Sequence, residues 1–243
     1  MSTRSKHRIV LVLGSAPDVV QCQSWPKPPN LQSVAINNAW RIRKDWDFLI
    51  SPDDFPVERM PGSFDQQQTH ITSDDYVPAN NQYGGVYYAG GTMAFTAGYW
   101  ALAALRPTVL AFLGCDMVYP QSGNTHFYGR GQPDPLREDP SLRNLEAKSA
   151  RLMMHARRQG CSCVRLSSGE SRLVFPSVDF DALPDLRAVS DFSGGSVFDD
   201  ALNKEDRLGY YAPDGRYWKA FDHFDFDEID EIDRLWLKAA GFQ

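Results

Sequence analysis

The chain has 243 residues, 42% hydrophobic and 23% charged, which suits a folded domain with a sizeable core. Its net charge of −6 offers no overall attraction to nucleic acid or to an anionic membrane surface. The apolar run before Gly14 is too short for a signal-peptide core or a bilayer span, so the expectation is a cytoplasmic protein with no membrane span. The four cysteines, Cys22, Cys115, Cys161 and Cys163, lack zinc-like pairing and read as free thiols.

In chain order, "HRIVLVLGSAP" predicts a buried strand, a β-branched and leucine run stopped by Gly-Ser-Ala-Pro. "SVAINNAW" and "WDFLISPDDF" repeat the pattern. Residues 54–86 read as irregular, with only the short apolar island "THITSDDYV". "TMAFTAGYWALAAL", after Gly90 and Gly91, predicts a helix apolar nearly all round, hence one buried between a sheet and another layer. Gly98 inside it anticipates a close packing contact.

"RPTVLAFLGCD" is the strongest strand signal, and residues 115–140 follow it as a long loop, a length that is unusual without a function. An amphipathic helix is expected from about Ser141 to Gln159, with Asp139 as N-cap and Gly160 as its stop. His155 falls on an exposed or half-exposed flank of it. "CSCVRLSS" is a fifth strand. The last segment, "DEIDEIDRLWLKAAGFQ", predicts a helix with Ile229, Ile232 and Trp236 on one face and its acids at the start, as the helix dipole prefers. Strands alternating with helices indicate an α/β, Rossmann-like fold: a mostly parallel sheet with helices on both faces. The division expected is a domain at 1–176 and a C-terminal helical and irregular extension, 177–243, packed on it.

Open parallel sheets bind ligands beyond the carboxyl ends of their strands. Those ends carry Gly14-Ser15, Asn37-Asn38, Ser51 and Gly114–Asp116. "LVLGSAPDVV" lacks the glycines of a dinucleotide fingerprint and the Lys-Ser/Thr of a P-loop. It is a strand, a tight turn and a Pro-Asp helix start, with Pro17 in the first turn, that offers backbone N–H groups to an anion. Gly91 and Thr92 offer a second such start. Paired asparagines can read a base or sugar edge through their amides. The long loop adds Asp116, Tyr119, His126 and Arg130, and His126 stands out from the other four histidines because Thr125, Phe127 and Tyr128 flank it.

The order "GSAP", "INNAW", a glycine-rich helix start, then "FLGCDMVYPQSGNTHFYG" resembles the family 42 glycosyltransferases, the bacterial sialyltransferases. It is also similar to the Rossmann-like group containing archaeal 6-hydroxymethylpterin diphosphokinase. The resemblance covers roughly residues 8–166 and implies a transferase using a nucleotide-activated sugar, with a CMP-sugar and an acceptor saccharide or other hydroxyl compound as partners. It implies Gly14, Ser15 and Pro17 against the phosphate, Asn37 against the nucleotide or donor sugar, and Tyr119 on the leaving phosphate. Ser51 stands where those enzymes carry a second asparagine. Their second tyrosine is not preserved, and His126 lies nearby. Their histidine base has no counterpart between Pro133 and Ser149, which leaves His126 or Asp116 for that role. No metal or other cofactor is implied. The alternatives are phosphoryl transfer from ATP, with Mg²⁺ on Asp116 and Asp53 or Asp54, and a nucleotide-binding protein without catalysis. A homo-oligomer is compatible with each.

Overall fold

The computed structural model describes residues 7–119, 122–131, 138–189, 192 and 195–242. Six strands, β1 Ile9–Leu13, β2 Leu31–Ile36, β3 Phe48–Ile50, β4 Thr69–Ile71, β5 Val109–Leu113 and β6 Ser162–Arg165, form one sheet in the order β4-β3-β2-β1-β5-β6. Every pairing is parallel. Among the described residues the α-helices are α1 Ser73–Asn81, α2 Val86–Ala89, α3 Met93–Ala104, α4 Leu145–Arg158, α5 Gly195–Leu208 and α6 Phe226–Ala239. The fold is α/β with the expected parallel sheet. No helix among the described residues is long and apolar enough to cross a membrane.

Side chains alternate across the sheet, as strand geometry requires. Val10, Val12, Val34, Ile36, Leu110 and Phe112 meet α1, α3 and α4 on one face. Ile9, Leu11, Leu13, Ala35, Ala111 and Leu113 face the other way. That second face departs from the expected layer of helices. It is covered by 3₁₀ turns at Pro17–Ser24, Asn37–Arg41 and Phe180–Asp185, which bring Val19, Cys22, Ala39 and Leu183 onto the strands. The connections after β1 and β2 run through these 3₁₀ turns in place of α-helices. All four cysteines are buried and free.

The region 54–86, expected to be irregular, instead supplies the edge strand β4 and helix α1. Thr72 and Asp75 form a capping box: the Thr72 N–H donates to Asp75 Oδ2 at 2.9 Å, so helix starts immediately at the strand's end. The amphipathic helix is also shorter than its periodicity suggests. Asp139 accepts from the Ser141 N–H and caps a separate 3₁₀ turn at Pro140–Leu142, while Asn144 caps α4 itself. Gly160 ends α4 with φ +76°, a left-handed conformation that glycine adopts without strain. Gly98 packs as its position in a buried helix suggests: a Cβ there would lie 2.7 Å from Leu152 of α4 and 3.2 Å from Phe112 of β5.

Helices α5 and α6 pack outside α4 through two fully buried ion pairs. Arg151 of α4 donates from Nε and Nη2 to both oxygens of Glu205 at 2.8 and 2.7 Å, from Nη1 to Tyr99 Oη at 2.8 Å, and from Nη2 to the Tyr83 carbonyl. Trp236 of α6 donates its indole N–H to Glu205 at 2.7 Å. Lys148, one turn earlier, donates to Asp233 at 2.9 Å. The same outer layer covers His155, which the helix pattern had left exposed. Trp236, Phe198, Tyr83 and Tyr99 enclose its ring.

At the other end of the sheet, β1 and β5 continue to approach one another past their last paired residues. Gly14 N–H donates to the Leu113 carbonyl at 2.8 Å, and Ala16 N–H to the Gly114 carbonyl at 3.0 Å. A Cβ on Gly14 would stand 2.1 Å from the Gly114 oxygen and 2.7 Å from Cys115 Sγ. Backbone blocks that space, so Gly14→Ala must separate the strand ends. It is expected to lower unfolding free energy by at least about 2 kcal/mol in chemical denaturation; an unchanged midpoint would contradict the packing.

Burial, with the Arg151 and Arg158 charges beside it, holds the His155 pKa well below its ordinary 6.5. Below about pH 6.5 the unfolded chain therefore binds a proton that the folded chain refuses, and stability falls as pH drops, by up to about 1.4 kcal/mol per pH unit. His155→Gln should flatten the denaturation free energy between pH 6.5 and 5 by about one proton. An unaltered slope would place the linkage elsewhere.

Candidate functional site

The chain fills the sheet outward from β1 to β4, then crosses back to β5 and β6, so the direction of strand order reverses between β1 and β5. Ligand crevices in open parallel sheets lie at such a switch point, outside the carboxyl ends. Gly14 and Gly114 mark that point here. Asn37 and Asp116 lie at the carboxyl ends of β2 and β5, the two strands that flank β1. At the usual spacing of about 4.8 Å between strands, roughly 10 Å separates the two strand ends.

The loop after β5 folds back over this end. Phe127 N–H donates to the Ser15 carbonyl at 2.9 Å, and His126 and Gly129 exchange backbone hydrogen bonds at 3.0 Å. His126 is thereby buried beside the β1 turn. Its Nδ1 lies 2.8 Å from Thr125 Oγ1, Tyr128 stacks on its ring at 5.0 Å, and the Tyr119 ring centroid is 6.2 Å away. Burial lowers its pKa below the ordinary value, which favours a neutral imidazole at pH 7. Residues 120, 121 and 132–137 of this loop, including part of the segment beginning at Pro133, lie outside the described residues.

Asp116 is buried, and Ser167, following β6, donates its hydroxyl to Asp116 Oδ1. Asp18 lies close enough for the Asp116 charge to act on it: burial first, and that charge second, raise the Asp18 pKa above the ordinary carboxylate value. Asp18 was not singled out by the sequence. Its only signal is the Pro-Asp pair at the helix start, which equally serves as plain capping. Three buried side-chain oxygens at the ends of β1 and β2 have no hydrogen-bond partner: Asp18 Oδ1, Asn37 Oδ1 and Asn38 Oδ1. Asn37 itself sits at φ +52°, a left-handed conformation that asparagine tolerates better than most residues. A buried oxygen without a partner costs about 1–3 kcal/mol, and each of these three lacks a donor among the described residues.

Other expected site residues are engaged within the chain. Ser51 Oγ lies 2.8 Å from His70 Nε2. Thr92 caps α3 through the Phe95 N–H, and Gly91 N–H donates to Ser141 Oγ at 3.0 Å. Ser141 in turn donates to Asp139 Oδ1 at 2.6 Å, and Tyr217 donates to Asp139 Oδ2 at 2.7 Å. The start of α3 is therefore closed by the chain's own hydroxyl, and the aromatic C-terminal segment reaches it through Tyr217. Arg130 Nε donates to the Gly123 carbonyl at 2.8 Å and braces its own loop. Pro17 opens the 3₁₀ turn that carries Asp18. Gly14, Ser15, Asp116 and His126 thus gather around the switch point with Asn37 and Asn38 at the end of the adjacent strand, while Ser51, Gly91, Thr92 and Arg130 are hydrogen-bonded elsewhere within the chain.

A cleft of about 1150 Å³ opens at the opposite, amino end of the sheet, between Arg8, Lys27, Trp46, Asp47 and Gln68. Lys27 pairs with Asp47 at 2.7 Å, and Gln68 donates to the Lys44 carbonyl at 2.8 Å. It lies at the end of the strands that parallel sheets do not use, so size alone does not make it the site. Among the described residues no group of three or more His, Cys, Asp or Glu side chains could hold a metal ion.

The unpaired Asn38 oxygen yields a prediction with two opposite arms. Asn38→Leu, similar in volume, removes a buried acceptor and should raise the stability of the ligand-free protein by about 1 kcal/mol. The same change should weaken whatever ligand the amide meets. Lower stability in the ligand-free variant would show that the amide serves packing.

Comparison of the chain with protein-family models, with curated proteins and with solved structures finds no match. The functional reading therefore rests on the geometry at the switch point.

Proposed function

We propose that the protein is a nucleotide-dependent transferase that moves a glycosyl group from a nucleotide-activated sugar to a hydroxyl acceptor. The observation that carries this reading is the convergence at one switch point of three unpartnered buried oxygens with a loop clamped to Ser15. Asn37 and Asn38 offer acceptors to the N–H or O–H groups of a base or sugar. A phosphate is repelled by the paired Asp18 and Asp116 carboxylates, whereas a neutral hydroxyl is not. The acceptor is accordingly assigned to the acid pair, and the departing phosphate to Tyr119 and His126. The sequence-based expectation differs, setting Gly14, Ser15 and Pro17 against the phosphate. Glycosyl transfer proceeds through an oxocarbenium-like state, and the leaving phosphate is the group whose growing charge needs donors.

Asp18 and Asp116 also favour one second reading. Two carboxylates beside a phosphate are a common Mg²⁺ arrangement, and phosphoryl transfer from ATP would use them so.

Differential thermal and chemical denaturation with CMP, UDP, GDP and ATP separates the two. A nucleotide at 100 times its dissociation constant should stabilise the protein by about 2.7 kcal/mol. Glycosyl transfer predicts that this survives EDTA; phosphoryl transfer predicts that it requires Mg²⁺. His126→Ala and Tyr119→Phe should each reduce the nucleotide-induced stabilisation, with Tyr119→Phe losing about 1.5–3 kcal/mol of nucleotide binding for one charge-assisted hydrogen bond. No stabilisation by any nucleotide would end both readings.

A further inference from the structure

We infer that the molecule has a second ligand site, in the groove between α4, α5 and the turn after α1, and that it takes an elongated zwitterion: a tripeptide-sized molecule with a free amino and a free carboxyl end. None of the residues around the switch point lines this groove, so the site does not depend on the transfer reading. The groove holds about 770 Å³, inside the range of roughly 300–1,000 Å³ usual for ligand pockets.

Its length follows from the way α4 and α5 pair. Arg151 of α4 meets Glu205 of α5 at 2.7 Å. Two turns further along α4, the Arg158 guanidinium lies 5.2 Å from the ring centroid of Phe198, two turns earlier on α5. The helices therefore run antiparallel, and Arg158 and Asp206, which both line the groove, come at its opposite ends. At about 1.5 Å of rise per residue, roughly 12 Å of α5 separates Phe198 from Asp206. An extended tripeptide spans at most about 10–11 Å.

The charges in the wall leave one pole at each end. Glu205 is spent on Arg151, which meets both of its oxygens, and on the Trp236 indole. His155 is held neutral, by burial first and then by the charges of Arg151 and Arg158. Arg158 and Asp206 are exposed, and neither has an ion-pair partner among the described residues. The Asp206 end favours a cation for further reasons. Helices α1 and α5 both finish there, at Asn81 and Leu208, and helix C-termini carry partial negative charge. A Cβ on Gly85 would lie 3.1 Å from the Tyr211 ring and 3.5 Å from Asn81 Oδ1, so the ring and the amide oxygen stand together over that glycine. Tyr211 is half exposed and offers its face to an ammonium group. The amino end is thus assigned to Asp206 and the carboxylate to Arg158.

The wall between the poles is aromatic and its polar tips are already engaged. Gln159 Nε2 donates to Tyr83 Oη at 2.5 Å. Tyr88 Oη donates to the Glu205 carbonyl at 2.8 Å and accepts the Tyr210 N–H at 3.1 Å. His155 packs edge-on against Tyr83 at 5.3 Å. Rings fixed in this way suit an apolar or aromatic middle residue in the occupant.

Isothermal titration calorimetry on the full chain tests the site, with alanyl-tyrosyl-alanine as the probe beside its N-acetyl form, its C-terminal amide and free tyrosine. The free tripeptide should give a saturable one-to-one isotherm. Each capped form, and tyrosine, which is too short to reach both poles, should bind roughly fivefold more weakly or worse, as expected for the loss of one exposed ion pair. Arg158→Gln should weaken the free tripeptide and bind the amide equally well; Asp206→Asn should bind the N-acetyl form as well as the free tripeptide. Both positions are exposed, so both variants should keep the wild-type unfolding midpoint. Absence of saturable binding by the free tripeptide overturns the site. Equal affinity of the wild type for free and capped peptides, or for tyrosine, overturns the two-pole assignment. Variants that still distinguish capped from free peptide as the wild type does would put the peptide elsewhere on the molecule and overturn it as well.

Discussion

A guanidinium taken wholly out of water is tolerated only when its N–H groups are bonded and its charge is met. Arg151 satisfies that constraint with two oxygens of Glu205, the Tyr99 hydroxyl and the Tyr83 carbonyl. Three of these partners come from segments far apart in sequence, so the pair acts as a registration point for the helical side of the molecule. Glu205 must stand against α4, which brings α5 with it. Trp236 bonds to the same carboxylate and brings α6. Lys148 and Asp233 repeat the requirement one turn away. Removing one member of such a pair leaves the other as an uncompensated buried charge, so the C-terminal segment is integral to the packing of α4.

That registration reaches the carboxyl end of the sheet. With α4 held by α5 and α6, the turn before it sets Ser141 against the Gly91 N–H, and Asp139 ties both to Tyr217. A helix start otherwise open to an anion is thereby closed, while the unpartnered oxygens of Asp18, Asn37 and Asn38 lie past the ends of β1 and β2. The glycine contact at β1 and β5 completes the arrangement. It lets two strand ends meet at a separation no Cβ permits, and it sets the turn carrying Asp18 beside Asp116. The site is acidic at one side and aromatic at the other.

Much of this was legible in the sequence because it depends on local pattern. The runs at 9–13 and 109–113 are apolar on both faces, as a covered parallel sheet requires. Gly98 could be read as a close contact because glycine in a buried helix has a cost that needs compensation. Edge strand β4 was not legible, since three residues with one exposed face carry little periodicity. His155 was misplaced for a different reason. A helix pattern reports one buried face, and α4 is buried on two, against the sheet and against α5 and α6.

The sequence by itself determined the class of fold, the glycines and asparagines at the strand ends, and the unusual loop after β5. These follow from short-range chemistry: side-chain alternation, turn residues and chain stiffness. Only the tertiary structure decided which of the polar residues remain available. Ser51, Gly91, Thr92 and Arg130 look as suited to a ligand as Asn37 and Asn38, yet each of the four meets a partner within the chain. Asp18 gains its character from burial first and then from the charge of Asp116, nearly a hundred residues away. Hydrogen-bond satisfaction and charge proximity are properties of neighbours in space, and a linear order of residues does not specify them.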